Sequence, residues 1–179
     1  MNTEKIIKMF DPCSQGAEYL RRYKTLRESW YSCPRGDWML WLAQKLGVDV
    51  RVLTLAKGLC VNTVRHLMKD SRSVVAVDAA IAFGRGEIGE KELDAAADAA
   101  HTAHADAADT DAAVAAAAHA AAATDAAYAA AADAAYAAAA AAVSVDVRKG
   151  VLAKTADICR EVLTEAVMRA ALEAAERGK

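Results

Sequence analysis

Between Lys91 and Ala142, 33 of 52 residues are alanine, interrupted by aspartates, histidines and two tyrosines but by almost no large aliphatic side chain. Alanine is the strongest intrinsic helix former, yet a buried alanine removes little apolar area from water. The tract therefore folds as helices whose axes approach toward the short end of the usual range of about 8–10 Å. One straight helix from Gly89 to Ala142 would reach roughly 80 Å, too long for a compact domain of this size, so a break is expected near Thr110 or Thr124. The tract is not read as a membrane span, because His119, Asp125 and Asp133 interrupt it and alanine cannot offset buried carboxylates. Bulk beside this core is expected from Trp30, Trp38 and Trp41. Homo-oligomerisation is expected to add burial that alanine cannot supply.

The remaining sequence reads as all-α, a compact multi-helix bundle forming a single domain over residues 1–179. An opening helix from Ala17 to Trp30 would present Tyr19, Tyr23, Leu26 and Trp30 on one face. Cys33-Pro34-Arg35-Gly36 is a turn, with Asp37 as cap of a helix carrying Met39, Leu42, Ala43 and Leu46. A further helix spans Asp49 to Met68, with Val52, Leu55, Ala56 and Leu59 and then Val64 and Leu67 inward. A shorter one begins at Asp70 or Ser71 and ends near Gly84. The last starts near Val151, with Leu152, Ala156, Cys159, Leu163, Ala166 and Ala170 on its stripe.

Charge is unevenly distributed. Residues 1–90 carry 14 Lys/Arg and 10 Asp/Glu, whereas residues 91–147 carry one basic residue and nine acidic ones. An acidic, alanine-rich middle is a poor platform for a phosphate backbone, so nucleic acid is not the expected partner. The opening MNTEKIIKMF lacks a sustained apolar stretch, and the chain is expected to be non-exported and cytoplasmic. Cys13, Cys33, Cys60 and Cys159 form no CxxC, which favours reduced thiols buried between helices over a disulfide framework.

The sharpest local pattern is Trp30-Tyr31-Ser32-Cys33-Pro34-Arg35-Gly36-Asp37-Trp38-Met39-Leu40-Trp41. Three tryptophans around a turn bracketed by Arg35 and Asp37 read either as a packed corner or as an aromatic pocket whose arginine grips an anion or a partner carboxylate. For a small anionic ligand, Arg35 and Arg65 are candidates to hold the charge and Trp38, Tyr128 or Tyr136 to stack on a ring. Ala43 to Leu53 also resembles a helix-turn-helix fragment in which Arg51 and Lys57 would meet phosphate, although Asp49, Val50 and Val52 are not a base-reading set. Gly84, Gly86 and Gly89 satisfy G-x-G-x-x-G without the strand that a dinucleotide site needs, and read as an interhelix turn. Asp94, Asp98, His101 and His104 share nearby helical phases without a complete ligand set, and read as a solvated stripe; His119 reads as an interhelix histidine. No nucleophile–base pair can be assembled from spacing, and no metal or cofactor is expected.

The W-x-x-C-x-R-G-D-W-M-L-W segment resembles the signature of the alanine-rich immunity protein family, found in bacterial polymorphic-toxin neighbourhoods and also encoded by phages. The similarity continues through Arg65-His66-Leu67, Gly84-Arg85-Gly86-Glu87, the alanine tract and Ala156-Asp157-Ile158-Cys159-Arg160, leaving residues 1–28 as an N-terminal extension. Gly36 departs from the pattern, where alanine is equally expected. The resemblance implies a non-enzymatic immunity or anti-defence protein that neutralises a toxin or immune effector protein by stoichiometric binding through Trp30, Arg35, Asp37, Trp38 and Trp41. Sequestration of a nucleotide-like signalling ligand is the first alternative. A nucleic-acid-binding regulator and an enzyme with a non-contiguous site are the others.

Overall fold

The computed structural model describes residues 1–106, 109–122 and 145–177. The chain is all-α: helices α1 (Thr3–Phe10), α2 (Ser14–Leu20), α3 (Leu26–Ser32), α4 (Gly36–Lys45), α5 (Val50–Asn62), a 3-10 turn (Arg65–Leu67), α6 (Ser71–Gly84), α7 (Glu90–Asp106), α8 (Asp109–Ala122) and α9 (Val145–Arg177). Among the described residues no helix is long and apolar enough to cross a membrane.

Two hydrophobic cores meet at α5. The first gathers Ile6, Leu20, Leu26, Trp30, Met39, Leu40, Leu42, Leu53, Ala56 and Cys60 against Ala156, Cys159, Leu163 and Val167 of α9. The second is the alanine core of α6, α7 and α8, where Ala80, Ala100, Ala117, Ala118, Ala121 and Ala122 are all fully buried. Its bulk comes from Val61, Val77, Phe83 and Leu93, and not from the three tryptophans, which belong to the first core. The alanine surface is thus covered within the chain by the aliphatic faces of α5 and α6.

The expected helix from Ala17 to Trp30 is instead two helices joined at Arg21–Thr25. Thr25 restarts the helix through a capping box: its Oγ1 accepts from Glu28 N at 3.2 Å, and the Glu28 carboxylate accepts from Thr25 N at 3.1 Å. Those backbone donors, Thr25 first and then Lys24, hold the Glu28 carboxyl below its ordinary pKa. α1 straps across this connection, with Thr3 Oγ1 donating to Tyr23 O at 2.6 Å and Leu26 N to Met1 O at 3.1 Å.

Asp49 caps α5, but the helix stops at Asn62. Its buried residues are Leu53, Ala56, Cys60 and Val61, while Val52, Leu55 and Leu59 are half-buried. The stripe read from the sequence is displaced because α5 lies between two cores and buries two faces. Asp70 caps α6, whose buried face is Ala76, Val77, Ala80 and Phe83. The alanine tract turns back between α7 and α8, close to Thr110; the alternative break near Thr124 lies outside the described residues. α9 begins six residues earlier than expected, and its buried face uses Val167 where Ala166 was expected.

Small residues set the helix spacing. A Cβ on Gly36 would stand 2.4 Å from Thr155 Oγ1 and 2.7 Å from the Thr155 carbonyl carbon, so α4 starts directly against the α9 backbone. This contact accounts for a glycine at position 36. A Cβ on Gly84 would meet Leu55 Cα at 2.7 Å and Leu55 N at 2.8 Å. Gly84→Ala is therefore expected to cost about 1–3 kcal/mol by overpacking. Gly150→Ala, in the body of α9 with nothing within 4 Å of the added carbon, is expected to stabilise by about 0.5–1 kcal/mol. Urea unfolding midpoints of the two variants check both signs.

Candidate functional site

Three short helices wall one surface cleft of about 220 Å³. Pro12, Cys13, Gly16, Tyr19 and Leu20 form one side. Ser29, Trp30 and Cys33 form the floor, and Asp37, Trp38, Met39, Trp41 and Leu42 the other side. The capping box that restarts the chain at Thr25 is what turns α3 so that Trp30 faces α2 and α4 together. Trp30 is almost fully buried and donates its indole N–H to Thr164 Oγ1 of α9 at 2.9 Å. Trp38 and Trp41 are half-buried, and the Trp38 ring lies 5.5 Å from that of Tyr19.

The expected role of Asp37 as an N-cap is corrected. Arg35 occupies the cap position without a side-chain cap bond, and Asp37 lies in the first turn of α4. A carboxylate there is favoured by the exposed N–H groups of the helix start. Its second stabilisation is Arg35, whose Nε donates to Asp37 Oδ1 at 3.0 Å and whose Nη2 reaches Oδ2. The same guanidinium lies 4.4 Å from the Trp38 ring centroid. Hydrogen bonding to Asp37 raises the Arg35 pKa further above its ordinary value. Arg35 is thus committed to Asp37 and Trp38 beside the cleft and does not line it.

The other polar groups of the cleft are also engaged within the chain. The Tyr19 hydroxyl donates to Ser29 O at 2.8 Å, and Ser29 Oγ to Leu26 O at 2.9 Å. Burial pushes the Tyr19 phenol pKa upward. The Cys33 thiol donates to Arg35 O at 3.4 Å, and burial pushes its pKa up to about 11. Arg160 of α9 donates to Cys33 O at 2.8 Å, holding the turn from behind. All four cysteines are free thiols; Cys33, Cys60 and Cys159 are buried, but Cys13 is exposed at the cleft, contrary to expectation.

Trp30, Asp37, Trp38 and Trp41 therefore line one cavity, with Arg35 clamped to its edge. Arg65 is elsewhere, on the 3-10 turn, in a bidentate pair with Asp78 of α6 in which Nη2 to Oδ2 is 2.8 Å. Tyr128 and Tyr136 lie outside the described residues. Sequence reasoning did not place Tyr19, Gly16 or Cys13 in the site; Pro12, just before α2, is the local clue to a helix start there. Thr164 and Arg160 had none, being more than 120 residues from their partners. Among the described residues no group of three or more His, Cys, Asp or Glu side chains could hold a metal ion. Asp94 and Asp98 are exposed on α7. Comparison with protein-family models, curated proteins and solved structures finds no match.

Arg51 and Lys57, the cations of the helix-turn-helix reading, are both engaged within the chain. Arg51 donates to Phe83 O at 2.7 Å and lies 4.2 Å from the Phe83 ring, closing the C-terminus of α6. Lys57 is buried and donates to Ala120 O in the last turn of α8 at 3.4 Å. Both donate to carbonyls in the last turn of a neighbouring helix, where the helix dipole favours a cation. The Gly84-Gly86-Gly89 segment joins two helices, with Gly86 at φ 78°.

Desolvation lowers the Lys57 pKa from 10.5 to about 8. Between those values the unfolded chain holds a proton that the folded chain has released. Stability owed to this residue therefore rises with pH across that window and is lowest below it. The wild type is expected to gain up to about 3 kcal/mol relative to Lys57→Met between pH 8 and pH 10.5. Denaturant titrations of both proteins across that range check it, because thiol and phenol titrations cancel in the difference.

Proposed function

We propose that this protein is a non-enzymatic immunity or anti-defence protein that neutralises a toxin or immune effector protein by stoichiometric binding, with the tryptophan-lined cleft as its contact site. The observation that carries this reading is the cleft itself: three tryptophans from α3 and α4 line one open cavity of about 220 Å³. Large aromatic side chains at an open concave surface are the usual anchors of protein interfaces. The polar side chains Tyr19, Ser29, Trp30, Cys33 and Asp37 are each already hydrogen-bonded within the chain. A polar heterocycle entering the cleft would lose water without regaining those bonds, whereas an apolar or aromatic side chain loses nothing. The resemblance of the tryptophan segment to the alanine-rich immunity family supports the same class.

Arg35 is a poor residue to delete, because its removal would leave the Asp37 carboxylate buried without its cation. Gly16 is the better lever. A Cβ there makes only ordinary contacts, 3.5 Å from Cys13 Sγ and Pro12 Cβ, so Gly16→Leu adds bulk to the cleft while leaving its core residues in place. Native mass spectrometry of the protein taken directly from its host cells is expected to show a 1:1 complex with a second polypeptide. Gly16→Leu and Trp38→Ala are each expected to weaken that complex at least about tenfold, with helicity and melting retained. A carried low-mass compound released unchanged would replace this reading with capture of a nucleotide-like signal. Conversion of many equivalents by trace protein would make the chain an enzyme.

A further inference from the structure

The turn between α7 and α8 brings together two histidines that are 18 residues apart in sequence. Their rings stand 4.9 Å apart, centroid to centroid, with planes tilted by 51°. His101 is exposed on α7, and His119 is half-buried in the last turn of α8. We infer that this pair is a binding site for a borderline divalent transition-metal ion of the Zn²⁺ or Ni²⁺ kind, bridging the two alanine helices.

The geometry carries the inference. An imidazole nitrogen ligates such an ion at about 2.0–2.1 Å, and the ring centre lies roughly 1 Å behind that nitrogen. Two rings on one tetrahedral ion therefore stand roughly 5 Å apart, which is the separation observed. The two ligands come from separate helices, α7 and α8, whose buried alanines pack in one core. Chemistry selects the metal class, since neutral imidazole suits zinc, nickel and copper and is a poor ligand for magnesium or calcium. On α7 itself, Asp98 stands one turn before His101, on an exposed position. Two protein ligands leave coordination positions open to water or to a group from a bound partner. The site involves none of the residues of the tryptophan cleft.

The ion would also act on stability. The α7–α8 interface is built largely from alanine methyl groups, and a bridge that binds only the folded hairpin adds stabilisation in proportion to its occupancy. The test is a calorimetric titration of the full chain with Ni²⁺ in a non-chelating buffer, read beside the proton spectra of the imidazoles. One Ni²⁺ per chain is expected, with the His101 and His119 signals broadened before those of His66, which stands exposed on the 3-10 turn. His101→Ala is expected to weaken binding at least about tenfold and His66→Ala to leave it unchanged. Equal broadening of His66, or a Ni²⁺ affinity unaltered by His101→Ala, overturns the proposal. The spectra read the wild-type protein, so the result does not depend on how well a substituted chain folds.

Discussion

The close approach of α4 to α9 at Gly36 sets the position of everything in the first core. With no Cβ at that residue, the start of α4 rests against the Thr155 backbone. The Cys159 thiol donates to Gly36 O from the same side, at 3.7 Å. Arg160, next to Cys159, and Thr164, about one turn further along α9, then hold the Cys33 carbonyl and the Trp30 indole. One face of one long helix thus fixes the floor of the cleft and the beginning of its far wall. Without that backing, Trp30 would be a buried indole lacking the acceptor it has on Thr164, an arrangement that costs folding energy.

The second core solves a different problem with the opposite material. Alanine helices form readily but bury little, so α6–α8 gain their cohesion from close spacing and from a few large side chains lent by α5, α6 and α7. Two cations of α5 complete the arrangement. Arg51 donates to a carbonyl in the last turn of α6 and Lys57 to one in the last turn of α8, so both charges are engaged on neighbouring helices. Burying Lys57 is costly for its charged form, which is why its proton is held less tightly than in water.

Separation of the two cores leaves the cleft and the histidine pair on different helices, with α5 as the common wall of both halves. The cleft is aromatic, with Arg35 and Asp37 neutralising each other at its edge. The α7–α8 hairpin is acidic, small-residue and open. The cleft is walled by α2, α3 and α4, held in place by the α1 strap and the Thr25 capping box. The first 28 residues therefore contribute directly to the walls of the cleft through Cys13, Gly16, Tyr19 and Leu20.

Much of this was legible locally. Periodicity and composition were enough for an all-α chain, for helix starts near Asp49 and Asp70, for the interhelix turn at Gly84–Gly89 and for a break near Thr110, because each depends on residues within a few positions of one another. The concentration of Trp30, Trp38 and Trp41 around Arg35 and Asp37 marked the cleft for the same reason. The break at Thr25 was also local, a Thr-x-x-Glu box, but the three- and four-residue spacing of Tyr19, Tyr23, Leu26 and Trp30 outweighed it. Periodicity cannot distinguish one helix from two whose phases agree. What tertiary structure alone decided were the partners across long loops: Thr164 for Trp30, Arg160 for Cys33, Thr155 against Gly36, Phe83 and Ala120 for Arg51 and Lys57, and His119 for His101. Sequence spacing carries no information about such pairs, since which helix faces lie against each other is settled only when all of them compete for the same buried surface.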